Sequence, residues 1–103
     1  MDLAALTDQA MLLRQRFAEA AERKGQRGWT REEVMQGFVG DVGDLMKLTM
    51  ARAGVREIPG AEQKLGHELA DCLWSVLVLA RLYDVDLEKE FSRMTADVAD
   101  KLA

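Results

Sequence analysis

A chain of 103 residues has room for one domain that buries roughly 65% of the surface its unfolded form exposes, and not for two. Its composition, 49% apolar and 31% charged with a single proline, is that of a globular protein that leans helical. A net charge of −4 with no long run of one sign disfavours wholesale binding to nucleic-acid polymers or to anionic membrane surfaces.

The N-terminal Met-Asp-Leu-Ala-Ala-Leu-Thr-Asp lacks the basic start and apolar run of a signal peptide. No apolar run approaches the roughly 20 residues of a membrane span, so a cytoplasmic protein is expected. The lone Cys72 falls inside an apolar helical pattern and is expected to be a small core residue rather than half of a disulfide.

In chain order, Leu3, Leu6, Ala10, Leu13, Phe17 and Ala20 recur at helical steps and predict an amphipathic helix over about residues 3 to 23. Gly25 and Gly28 end it. Trp29 then precedes Thr30-Arg31-Glu32-Glu33, a capping box in which the Thr30 hydroxyl and the Glu33 carboxylate satisfy each other's backbone N–H groups. The second helix runs from there to about Ala53. It holds Gly37, Gly40 and Gly43 at steps of three, each costing about 1 kcal/mol relative to alanine. Close approach of another helix, or room for a ligand, would offset that cost.

Residues 54 to 60 form a connector with clear breakers. The third helix, about 61 to 83, is apolar over more than half its circumference. Such a helix needs cover on several sides, more than three partners in so short a chain supply, which predicts a homodimer at least. Asp86 caps a fourth helix whose Leu87, Phe91, Met94, Val98 and Leu102 form a stripe expected to be buried. The expected fold of residues 1–103 is therefore a single all-α, four-helix bundle-like protomer that oligomerises.

The residues that stand out are four acids in two pairs, Asp41 with Asp44 and Glu68 with Asp71. Spacing of i, i+3 sets each pair on one helical face, one turn apart, at the border of an apolar stripe. If the two helices pack antiparallel, four carboxylates converge at the seam. Like charges that close shift each other's pKa by units, and a hard divalent cation relieves them, Mg²⁺ taking oxygen ligands and keeping several waters. The competing reading makes them partners of Arg14, Arg52 or Arg81 in interhelical ion pairs. Zinc is disfavoured, because His67-Glu68-x-x-Asp71 lacks the second histidine of the zinc motif.

Gly40-Asp41-Val42-Gly43-Asp44-Leu45 resembles the Glu-Glu-x-Gly-Glu-Leu element of MazG-like nucleotide pyrophosphohydrolases. Glu68-Leu69-Ala70-Asp71-Cys72-Leu73-Trp74 resembles their Glu-Leu-x-Asp-x-Leu element. The likeness extends to Trp29-Thr30, Leu79-Ala80 and Asp86-Leu87-Glu88-x-x-Phe91, covering most of residues 29 to 94. It implies an all-α dimer or tetramer that binds Mg²⁺ and hydrolyses nucleoside triphosphates to monophosphate and pyrophosphate. Carried over residue by residue, it makes Asp41, Asp44, Glu68 and Asp71 the metal ligands and catalytic acids. Two departures bear on this: both acids of the first pair are aspartates, shorter in reach by about 1.3 Å, and Gly40 stands where the family commonly has another acid.

Lys64 lies one turn before Glu68 and Lys47 one turn after Asp44, so either could contact a phosphate or simply pair with its neighbouring acid. Trp29 could stack on a base or serve as a packing plug. His67 is expected to be an ordinary surface or interface residue. A second class of reading is a helical module that binds a nucleotide or a protein partner without catalysis, consistent with the shorter acids.

Overall fold

The computed structural model describes residues 2–103. Four helices follow one another: α1 Leu3–Arg23, α2 Arg31–Arg52, α3 Ala61–Leu82 and α4 Leu87–Leu102. Among the described residues there is no strand, so the all-α expectation holds. None of the helices is long and apolar enough to cross a membrane.

The helix starts follow from local chemistry. Asp2 caps α1 by accepting from the Ala5 N–H at 2.8 Å, and Asp86 caps α4 by accepting from Lys89 at 3.1 Å. At α2 the capping box is complete: the Thr30 hydroxyl accepts from the Glu33 N–H at 3.2 Å, and Glu33 accepts from the Thr30 N–H at 3.0 Å. Glu33 also accepts from Arg27. That guanidinium, with the Thr30 N–H, pulls the Glu33 carboxyl down to about 2.

α2 and α3 pack antiparallel: Arg52 pairs with Glu62 near the connector, while Val34 packs with Leu77 and Val78 at the other end. α1 crosses α3 and is fixed by Trp74, whose indole N–H donates to the Ala10 carbonyl at 3.0 Å. The Phe17 ring stands edge-on to the same indole with centroids 5.8 Å apart, an arrangement favoured by the ring quadrupoles. The core where the three helices meet is small, built on Ala10, Val34, Leu77 and Val78. Each of its larger side chains contributes roughly 1.5–3 kcal/mol by leaving water.

One expectation about burial needs correction. The α4 stripe is not buried: Leu87 docks on the core, but Phe91, Met94, Val98 and Leu102 are exposed, Phe91 at 61% and Leu102 at 81%. α3 leaves Leu69 and Leu73 in solvent, in keeping with a helix that has more apolar surface than its own chain covers. In the turn between α3 and α4, Asp84 takes a left-handed φ of 55°, a conformation aspartate tolerates. Beyond it Leu87 packs on the core and the rest of α4 is exposed. The molecule measures 55 × 39 × 26 Å with a radius of gyration of 16.5 Å, against about 13 Å for a compact domain of this length. It is a three-helix layer with a projecting fourth helix.

Candidate metal centre and its groove

The seam between α2 and α3 carries three of the four acids. Asp41 and Asp44 sit a turn apart on α2, and Glu68 faces them from α3. One carboxylate oxygen from each lies within 4.8 Å of the other two. Asp41 and Glu68 are half-buried and Asp44 is exposed. Glu68 Oε2 is buried and has no hydrogen-bond partner.

An orphaned carboxylate oxygen is costly unless something cationic meets it. Burial raises the Asp41 carboxyl above its ordinary range, and the neighbouring Asp71 and Asp44 carboxylates push the same way. Glu68 is raised likewise, first by burial and then by Asp41, Asp71 and Asp44. The arginines that could have neutralised the cluster are occupied elsewhere. Arg52 pairs with Glu62 at 3.6 Å and Arg81 with Asp8 at 2.8 Å, while Arg14 donates to the Trp29 carbonyl at 2.9 Å. Among the described residues, Asp41, Asp44 and Glu68 have no ion pair.

The fourth acid, Asp71, is not part of that three-oxygen group but lies near enough to raise both Asp41 and Glu68. Asp71 Oδ2 lies 3.3 Å from His67 Nε2, one helical turn back on α3. His67 is a surface residue as expected, and in addition it contacts Asp71. The signal was present as i, i+4 spacing on the face that carries Glu68.

The donor set fits a hard cation. Ligand oxygens on opposite sides of Mg²⁺ stand about 4.2 Å apart, twice a bond of about 2.1 Å. The three donor oxygens, all within 4.8 Å of one another, are spread on a comparable scale. All three donors are oxygens, the ligand type that hard cations such as Mg²⁺, Ca²⁺ or Mn²⁺ take.

Beside the acids opens a groove of about 390 Å³ lined by Asp44, Glu68, Lys47, Lys64, His67 and Ile58. Neither lysine pairs with an acid among the described residues, so both ammonium groups are available to an anionic ligand. Trp29 does not line this groove. Its ring, 59% exposed, covers Gly37, where an added Cβ would stand 2.6 Å from Trp29 Cζ3. Trp29 instead borders a separate cavity with Arg14 and Phe17.

The three glycines of α2 thus have different reasons. Gly37 makes room for the indole, whereas a Cβ added at Gly40 or Gly43 would meet nothing within 4 Å. The backbone beside Asp41 and Asp44 consequently borders open space.

Compared with family models, with curated proteins and with solved structures, the chain matches none.

Proposed function

We propose that this chain is a Mg²⁺-dependent nucleoside triphosphate pyrophosphohydrolase of the cytoplasm, acting as a homodimer or homotetramer and resembling the MazG-like enzymes. The observation that carries the reading is the cluster of Asp41, Asp44 and Glu68, with its orphaned Glu68 oxygen, opening on a groove with two unpaired lysines. The short resemblance of residues 40–45 and 68–74 supports it.

In this reading Asp41, Asp44 and Glu68 hold the ion, and Asp71, positioned by His67, adds a fourth negative charge at the margin. Bound Mg²⁺ supplies charge neutralisation on the triphosphate and a more acidic water. Lys47 and Lys64 bind phosphate oxygens along the groove and so fix which anhydride lies beside the acids. Water attacks the α-phosphorus, the α–β bond breaks, and nucleoside monophosphate and pyrophosphate leave; one of the carboxylates takes the water's proton.

The test is incubation of the pure, folded protein with each ribo- and deoxyribonucleoside triphosphate, and with phosphoribosyl-ATP, in the presence of Mg²⁺. Monophosphate and pyrophosphate products are expected from at least one. Absence of turnover on all of them removes the reading.

A second reading is favoured by the short Asp41 and Asp44 side chains and the open space at Gly40: a nucleotide-binding or protein-binding module without catalysis. It predicts tight nucleotide binding with no turnover in the wild type, and a gain of hydrolysis in the Asp41→Glu/Asp44→Glu variant.

A further inference from the structure

Both tryptophans of the chain, Trp29 and Trp74, and one of its three phenylalanines, Phe17, border a single cavity of about 590 Å³. Its walls come from α1, the loop that joins α1 to α2, Val34 near the start of α2, and Trp74 on α3. Neither the acids of the seam nor any other acid lines it. The charged residues that do are Arg14, Lys24 and Arg27. Arg27 is paired with Glu33, whereas Arg14 and Lys24 have no ionic partner among the described residues. Arg14 Nε is also buried without a hydrogen-bond partner.

We infer that this cavity is a second ligand site, independent of the metal centre, for a small planar aromatic anion: one or two fused rings carrying a single carboxylate or phosphate. The inference does not rest on hydrolysis at the seam. A cavity of this size falls within the roughly 300–1,000 Å³ of small-molecule sites, which combine an apolar, aromatic lining with a few polar groups. The ring belongs with the indoles and Phe17, since aromatic groups attract one another beyond the area they bury. The anionic group belongs toward Arg14 and Lys24. An unpaired guanidinium beside low-dielectric walls acts more strongly on an anion than one in open water, and carboxylate or phosphate oxygens match its planar donors.

The walls are held in place before any ligand arrives. The Trp74 indole N–H donates to the Ala10 carbonyl at 3.0 Å, and the Phe17 ring stands edge-on to that indole. Arg14 donates through Nη2 to the Trp29 carbonyl at 2.9 Å, which ties the loop to α1, and the Trp29 ring rests over Gly37. Arg14 thus fixes the wall with one nitrogen and leaves another unpaired. Little ordering remains to be done on binding, which favours affinity.

The test uses the full chain, whose indole N–H signals in a proton–nitrogen correlation spectrum come only from Trp29 and Trp74. Naphthoate and naphthyl phosphate should each shift both signals saturably, with affinity at least about tenfold above that of uncharged naphthylmethanol. The tighter of the two anions tells carboxylate from phosphate. Arg14→Gln should erase the preference for the anions. Because that change also removes the bond to the Trp29 carbonyl, the exposed Lys24 supplies a second variant: Lys24→Gln should weaken both anions about threefold and leave the alcohol unchanged. Saturating α,β-imido-ATP with Mg²⁺ should not displace naphthoate. No shift of either indole, equal affinity for alcohol and anions, an anion preference that survives both substitutions, or shifts confined to α4 overturns the site. Displacement by the nucleotide overturns its independence, making the cavity part of the seam's own ligand site. Failure of hydrolysis at the seam leaves the inference standing.

Discussion

The α2–α3 seam and α4 are both incomplete, in opposite senses. The seam draws Asp41 and Glu68 partly out of water beside Asp44, with no cationic side chain paired to any of them. The other, α4, leaves an apolar row in water that its own chain does not cover. Each arrangement costs free energy in the isolated chain, one through desolvated charge and the other through exposed hydrocarbon. The difference is instructive because relief must come from different sources: an ion and its anionic ligand at the seam, apolar surface at α4. Perturbing the two regions should therefore change different measurements.

The largest effect is expected at the seam. Glu68→Gln keeps the shape of the side chain and removes a ligand charge, so Mg²⁺-dependent hydrolysis should fall at least about 100-fold, the usual scale for losing one preorganised electrostatic group. The same substitution should raise the melting temperature of the metal-free protein, because it removes a partly desolvated charge and relieves repulsion among like charges. Equal loss of activity and of stability would mean that Glu68 is a structural residue and not a ligand.

Next comes the contrast between core and projecting helix. Val78 is fully buried while Val98 is half-exposed. Val78→Ala should cost about 2–3 kcal/mol in urea unfolding, and Val98→Ala less than about 0.5 kcal/mol in dilute solution. A cost at Val98 as large as that at Val78 would show that α4 is packed within its own chain.

Helix boundaries were legible because they are set locally. Thr30 with Glu33, and Asp86, cap as their positions foretell, and no distant contact is needed to place them; Asp2 caps α1 by the same local chemistry, a cap the sequence reading did not name. Convergence of Asp41, Asp44 and Glu68 was also legible, since i, i+3 spacing beside apolar stripes on two helices leaves few other arrangements. The contact of Asp71 with His67 went unread, although i, i+4 spacing on α3 permits it. The fate of α4 was illegible for a deeper reason. Periodicity states that a helix has an apolar face, and not which surface covers it or whether that surface belongs to the same chain. Trp29 shows the same limit, since its seat over Gly37 is a contact between a loop and a helix.

The glycines of α2 sharpen the seam at a smaller scale. Gly40→Ala adds a methyl into open space in a helix interior and should stabilise by about 1 kcal/mol. Gly37→Ala places its methyl against the indole and should gain nothing, while changing Trp29 fluorescence as the ring moves aside. Equal stabilisation at both positions would show that Trp29 does not rest on Gly37.

The smallest effect is the most diagnostic of what distinguishes a satisfied acid from an orphaned one. Glu33, bonded by Arg27 and the Thr30 N–H, titrates at about 2 instead of 4.5, so the folded state holds its proton less tightly than the unfolded chain. Its contribution to stability is present above pH 4.5 and lost as pH falls from there through about 2. Glu68 is shifted the other way, chiefly by burial. In metal-free protein its ionisation penalises the fold at neutral pH, and the penalty fades as pH falls into the ordinary carboxylate range, where both states are protonated. Melts of Glu33→Gln and Glu68→Gln against the wild type in a chelator should therefore give differences of opposite sign at pH 7, the first variant less stable and the second more so, each approaching zero in acid. Adding Mg²⁺ should reverse the sign for Glu68 alone, since only that carboxylate gains a partner from the ion. A Glu68 difference indifferent to Mg²⁺ would leave the seam with buried charge and no cation to account for it.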